Sequence, residues 1–310
     1  MKQTLEKNMG PARLRCPSCM AELGDIPTTP QDSIHCFQCG YSLNWDADCW
    51  DACVDKTYPR DFARQWVLWE AGKLGDPSVI YGTPPEEWFR IFLENTSLTA
   101  ENLETMRILE IGFGHGRLLH QVQAFSPRAY GLDLAKPLRT SQLRPGSAIF
   151  GNLLNNPFVP HQFDLVICQG VICIMPDPQK AFGCMAEQVA PGGKLYLSCT
   201  YEPGKGGLIL RKLFPGCWHY PERLRLAMTN IFTPLRAALE VFRTRDFSWK
   251  EFRRYCAHYK LDIFDVLAPQ WTTTLSENEI IPWYTSQGFL ARKVANGAYV
   301  GVKTSGSSLG

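Results

Sequence analysis

Between residues 106 and 203, short apolar runs alternate with stretches whose apolar positions recur at helical spacing. The runs MRILEI (106–111), RAYGLDL (128–134), SAIFG (147–151), FDLVICQ (163–169) and GKLYLSC (193–199) are short and rich in leucine or β-branched residues. Runs of this kind predict strands buried on both faces. The intervening stretches predict helices, for example over 116–125 and 179–189. Strand alternating with helix predicts an α/β fold, a doubly wound parallel sheet with helices on both sides. Helical spacing returns near Ser276–Gln287. Two further runs, GFLARKV and AYVGVKT, are separated by Asn296-Gly297, a strong hairpin signal because that pair accepts the positive φ of a tight turn.

The flanking regions read differently. Residues 1–56 are rich in Cys, Pro and Asp, with little periodicity. Residues 57–105 carry aromatics at helical spacing: Phe62, Trp66 and Trp69, then Trp88, Phe89 and Phe92. From 106 to 310 the chain forms the α/β core, interrupted at about 204–260 by an insertion that reads as basic helices. That insertion holds twelve Lys or Arg against Glu222, Glu240, Asp246 and Glu251, so it carries +8 and the rest of the chain −6. The tail 305–310 is small and polar. A chain of 310 residues is long for one typical domain, and with 45% apolar residues it can bury a sizeable core, which excludes a wholly disordered protein. The net charge of only +2 argues against a dedicated nucleic-acid binder. No apolar run reaches the ~18 residues of a membrane span, and the N-terminal stretch has no apolar signal region, so the expected location is cytoplasmic.

Twelve cysteines are many for such a chain. Cys16-Pro-Ser-Cys19 and Cys36-Phe-Gln-Cys39 form two knuckles at a spacing that suits a structural Zn(II) site. Each knuckle offers two thiolates from one turn, and two knuckles close a tetrahedron at about 2.3 Å per Zn–S bond. Gly40 permits the tight backbone after the second knuckle. So short a segment has little core of its own, and metal binding would stabilise it. Four cysteines leave no open position, which fits a structural role and not a catalytic one. His35 is expected as a bystander, Cys49 and Cys53 as structural residues, and most of the other thiols as small buried hydrophobes.

The first core strand runs into Glu110-Ile-Gly112-Phe-Gly114-His-Gly116-Arg117. Arg117 stands where a dinucleotide fingerprint needs its third glycine, and no Gly-Lys-Ser/Thr follows to cradle phosphate. Gly112 and Gly114 let the backbone approach a ligand closely. Asp133, ending the second strand, can accept hydrogen bonds from a ribose diol. Acids at 110 and 133 would repel a pyrophosphate and tolerate a cation, which suits a sulfonium nucleoside better than NAD.

With LEIGFGHGR, GLDLA, FGNLLNNPF, FDLVICQGVICIMPDP and APGGKLYLS in order, residues 106–198 resemble the class I S-adenosylmethionine-dependent methyltransferases. The resemblance implies a Rossmann-like sheet of seven strands whose last hairpin is antiparallel. By position, Glu110, Gly112, Gly114 and Gly116 would line the methionine side of the cofactor, with Gln169 nearby. Asp133 would hold the ribose hydroxyls, Leu134 would pack on adenine, and Asn152 would stand near the adenine amino group where the family often has Asp. The segment Gly170–Pro178 departs from the family pattern, because both of its usual histidines are absent.

The whole layout of zinc ribbon, FARQW (62–66), core, basic helical insertion and C-terminal segment resembles a loose group of bacterial methyltransferases of polysaccharide and secondary-metabolite pathways. It implies methyl transfer to a small-molecule acceptor. An oxygen acceptor would want a base, for which His219 and His258 are the candidates, with His115 behind them. The insertion is expected as a lid. Its basic bias leaves three readings open: attraction of a phosphorylated small molecule, peripheral contact with an anionic membrane, or a solvated face. An RNA methyltransferase gripping RNA through the ribbon is the first alternative. Against it, residues 12–56 hold only Arg13, Arg15 and Lys56 as cations. The second alternative is a non-catalytic module that keeps the fold and binds a partner.

Overall fold

The computed structural model describes residues 10–27, 29, 32–46, 48–54, 61–80, 82–135, 142–199 and 205–305. The expected boundary at 56/57 and the tail after Ser305 lie outside them. The chain divides into two compact units: residues 1–58, 89–201 and 273–310 form a sheet unit, and residues 59–88 and 202–272 form a helical unit. The aromatic stretch 57–105 is thus shared between the two units.

The sheet unit is built on strands β6 (Ile108–Ile111), β7 (Ala129–Asp133), β8 (Ala148–Phe150), β9 (Phe163–Gln169) and β10 (Val189–Ser198). They lie parallel in the order β8-β7-β6-β9-β10. The hairpin β11 (Phe289–Ala295) and β12 (Ala298–Lys303) adds two antiparallel strands beside β10, with Gly297 at positive φ in the turn. These are the seven strands that the sequence implied.

Alternation along each strand feeds two cores. Leu109, Ile111, Val166, Cys168, Leu195 and Leu197 face one side, where α5 (Pro178–Gln188) and α9 (Glu277–Ser286) contribute Phe182 and Tyr284. Ile108, Leu165, Ile167 and Tyr196 face the other, with Phe92 of α2 (Pro85–Thr96) and Leu119 of α4 (Arg117–Gln123). A short α3 (Ala100–Thr105) leads into β6, started by a capping box between Thr99 and Asn102.

Three ribbon strands extend this sheet to ten. β5 (Cys49–Asp51) pairs parallel with β8, Cys49 opposite Ala148 and Asp51 opposite Phe150. β4 (Ser42–Asp46) and β3 (Ser33–His35) follow antiparallel. The other knuckle's pair, β1 (Arg13–Arg15) and β2 (Glu22–Asp25), forms a separate two-stranded sheet tied to the core. Arg13 N–H donates to Gln162 Oε1 at 2.7 Å, and the Gln162 amide returns a bond to the Arg13 carbonyl at 2.8 Å. Ala12 N–H donates to the Tyr130 hydroxyl at 3.1 Å. Leu14, Leu43 and Trp50 are wholly buried in the first core. Each such side chain contributes roughly 1.5–3 kcal/mol relative to exposure. The ribbon is therefore part of the sheet unit's core.

In the helical unit, α1 (Asp61–Glu70), α6 (Lys205–Leu213), α7 (Glu222–Thr244) and α8 (Trp249–Leu267) bury two apolar clusters. One joins Leu68 and Trp69 to Leu261 and Phe264; the other joins Leu210 and Met228 to Ile263 and Leu267. Among the described residues no helix is long and apolar enough to cross a membrane.

Candidate active site and thiolate cluster

In a doubly wound sheet the ligand crevice opens where successive strands turn to opposite sides of the first one. Here that point lies at the carboxyl ends of β6 and β9. The turn after β6 holds Gly112, Gly114 and Gly116, all at positive φ (+71°, +54° and +81°). At Gly112 a Cβ would lie 2.1 Å from Val171 Cγ2, so the turns after β6 and β9 meet where only glycine fits. Val171 carried no signal in the sequence for this role.

Asp133 ends β7 directly beside this turn. Its Oδ2 accepts from Gly114 N–H at 2.6 Å, and its Oδ1 accepts from Ala135 N–H at 2.7 Å. Each carboxylate oxygen keeps a second lone pair for an added donor. Burial pushes the Asp133 carboxyl up to about 6, held back by those backbone donors.

Glu110 sits two residues after Ile108, on the same face of β6, and is buried. Burial first, and the Asp133 charge second, push its carboxyl up to about 8. Its Oε2 has no hydrogen-bond partner among the described residues. The Leu119 backbone N–H favours the charged form, but less than burial disfavours it, so the carboxyl is expensive to ionise. A cation entering the crevice would reverse that balance, and a diol would meet the acceptors of Asp133. The residues present therefore fit a cationic nucleoside.

The other sequence-selected residues are placed as follows. Leu134 is half-buried immediately after Asp133. Asn152 follows β8, and its side-chain oxygen accepts from Leu154 N–H at 2.9 Å. One acceptor position that adenine would use is thus already engaged in starting the turn Leu153–Asn155. Gln169 ends β9 at the crevice, half-buried, with its side chain beside the Tyr196 hydroxyl. His115 is half-buried in the glycine turn. His219 and His258 both lie in the helical unit. His219 is exposed at the end of the turn Cys217–His219. His258 is half-buried on α8, four residues before Asp262, whose carboxyl is raised by burial and lowered again by His258.

The thiolate cluster is well formed. The Sγ atoms of Cys16, Cys19, Cys36 and Cys39 all lie within 4.8 Å of one another. Cys16 and Cys39 are 3.6 Å apart, and Cys19 and Cys36 are 3.5 Å apart. Four sulfurs at ~2.3 Å from one ion would be spaced by about 3.8 Å. The knuckles repeat one turn: Met20 N–H donates to the Cys16 carbonyl and Gly40 N–H to the Cys36 carbonyl, both at 2.8 Å, and both donors have positive φ. His35 stands aside, its ring nitrogens engaged by Ser33 and Ser42 at 2.8 and 2.7 Å.

A profile of the family described as "Methyltransferase domain" matches residues 85–292, more than half of the chain. The chain belongs to that family. Its parallel strand order and the glycine turn after β6 are those that the resemblance to class I S-adenosylmethionine-dependent methyltransferases implied. The ubiquinone biosynthesis O-methyltransferase of Escherichia fergusonii is 29% identical over 111 residues, 33% of this chain and 46% of that one. The chain thus spans about half the length of the first curated relatives it matches. The tRNA U34 carboxymethyltransferase of Campylobacter curvus is 24% identical over 234 residues, 73% of this chain and 70% of that protein. Among solved structures, a sugar N-methyltransferase from Streptoalloteichus has a TM-score of 0.44 at 14% identity, covering 77% of this chain and 92% of its own.

Proposed function

We propose that this methyltransferase transfers a methyl group to a small-molecule acceptor, a secondary-metabolite or glycan-type intermediate. The observation that carries the site assignment is the buried Glu110 carboxyl beside Asp133, its Oε2 without a partner among the described residues, under a turn that admits only glycine at 112. S-Adenosylmethionine supplies a methyl carbon already activated by a sulfonium sulfur. The protein's task is to align the acceptor and remove water from it.

In this reading Asp133 receives the ribose hydroxyls, and Leu134 and Asn152 lie on the adenine side. Gly112, Gly114, Gly116, Glu110 and Gln169 lie on the methionine side. Asn152 would use the lone pair that Leu154 leaves free. His219 and His258 are the proposed bases for an oxygen acceptor. Cys16, Cys19, Cys36 and Cys39 would hold a structural Zn(II), supported by the closed set of four sulfurs.

The charge on the ribbon favours a small acceptor over RNA. Its arginines are already spent within the protein: Arg13 pairs with Glu22, and Arg15 with Glu187 at 3.4 Å. Phosphate binding needs cations free to displace counterions. The test is transfer of labelled methyl groups from S-adenosylmethionine to a fractionated extract. Label in low-molecular-weight metabolites is expected. Label confined to RNA, with an affinity that falls steeply with salt, would replace this reading with the RNA one. Tight cofactor binding without transfer to any fraction would leave a non-catalytic module.

A further inference from the structure

Helix α7 is apolar on two sides. Its inner side buries Thr229, Thr233, Ala237 and Val241 together with Arg225 and Glu240. Its outer side carries Leu224, Ile231, Leu235, Leu239 and Phe242, between 46% and 68% exposed. At about 100° per residue Ile231, Leu235, Leu239 and Phe242 fall in a stripe roughly 80° wide and about 17 Å long, with Leu224 set apart from it by the buried Met228 on the same side. The stripe continues past the helix end, where the Phe247 ring meets Phe242 edge-on at 5.4 Å. Trp249, 70% exposed, follows.

The charge around this stripe is one-sided. Arg223, Arg245, Lys250 and Arg253 are exposed along and just beyond α7. Three of the four nearby acids are ion-paired within the unit. Glu222 pairs with Arg64 at 2.5 Å, Glu240 with Arg243, and Glu251 with Arg254 at 2.5 Å. Asp246 accepts from Ser248 N–H at 3.1 Å. A second copy laid on this face would bring like charges together. An anionic surface with an apolar interior satisfies both halves: acyl chains take the leucines and phenylalanines, and headgroups take the arginines and lysines.

We propose that the outer face of α7, with Phe247 and Trp249, docks the methyltransferase on an anionic lipid bilayer as a helix lying in the interface. The site proposed above does not depend on this contact.

The test is co-sedimentation of the full chain with phosphatidylcholine vesicles, with and without phosphatidylglycerol. Binding to the anionic vesicles is expected to exceed that to neutral ones by roughly tenfold or more and to weaken with salt. Leu235→Asp with Phe242→Asp should abolish it without lowering the melting temperature, because both side chains point away from the packed side. A second variant, Arg245→Glu with Lys250→Glu, leaves the apolar stripe whole and should still lower anionic binding severalfold. Absence of binding to anionic vesicles at low salt overturns the proposal, as does equal partition into neutral ones. So does a dimer in sedimentation analysis that Leu235→Asp with Phe242→Asp dissociates while vesicle binding is unchanged, since the stripe would then face a second copy.

Discussion

Glu110→Gln keeps the shape of the residue at the sheet's switch point and removes its charge. In the folded chain, burial and then Asp133 push this carboxyl up from 4.5 to about 8. In the unfolded chain a glutamate titrates near ~4.3. The native state therefore holds a proton that the unfolded chain releases. The resulting contribution to stability is complete below the unfolded value. It is lost as pH rises, and the loss levels off once pH passes the folded value. At about 1.36 kcal/mol per pH step, and allowing for half-ionisation near pH ~8, the loss between pH ~6 and ~8 is on the order of 2 kcal/mol. The glutamine cannot titrate, so it lacks this slope. Its amide faces the same unpartnered place and costs about 1–3 kcal/mol, at every pH alike.

Unfolding by urea at several pH values separates the two effects. Relative to its parent, the variant should gain about 2 kcal/mol between pH ~6 and ~8, whatever its offset. A second readout uses the ligand. Near neutral pH a sulfonium entering beside Glu110 should expel its proton, and titration calorimetry in buffers of different ionisation enthalpy counts that proton. S-Adenosylhomocysteine, which lacks the sulfonium charge, should expel less, and Glu110→Gln should expel none. Parallel stability curves for parent and variant, or equal proton release from both, would refute the argument that Glu110 is neutral in the free protein.

Asp133→Ala should abolish the thermal stabilisation given by S-adenosylhomocysteine; an undiminished shift would remove Asp133 from the ribose site. Gly112→Ala should destabilise the fold by about 1–3 kcal/mol in urea unfolding, because of its positive φ and its contact with Val171. Adding Val171→Ala should recover the steric part and leave the backbone part. Stripping metal with a chelator should lower the melting temperature of the sheet unit as a whole, because β5 is paired into the central sheet; a measured loss of zinc with unchanged melting would show the ribbon to be energetically separate. Trp50→Ala should cost about 3–5 kcal/mol for the same reason.

The parallel strands were legible because each is largely buried on both faces, so Ile108–Ile111 and Phe163–Gln169 read as short apolar runs interrupted only at Glu110, Asp164 and the terminal Gln169. The hairpin was legible because Asn296-Gly297 answers a local backbone demand. The pairing of β5 with β8 was not. Those strands have three residues each, too few to show a period, and they lie some hundred positions apart. Their register is decided by what Trp50 and Leu43 bury against, which no local window contains. The two-sided character of α7 was hidden for a related reason. The sequence read this insertion as basic helices and left a membrane face as one of three readings, and only the structure shows which apolar positions are covered.

The site shows the same division. That Glu110, Gly112, Gly114, Gly116 and Asp133 lie together was open to reading, because their spacing sets them at the ends of neighbouring strands β6 and β7. The protonation of Glu110 was not, because a carboxyl's charge is set by the solvent it loses and not by its neighbours in sequence. Burial on β6 raises the cost of ionising Glu110 in the empty site, and Asp133 raises it further. The same burial strengthens the attraction once a cation is present, since both effects come from the low local dielectric. The acid pair is thus poorly settled without its ligand and well settled with it. If the proposed site holds the cofactor, that contrast would favour the sulfonium form over its demethylated product.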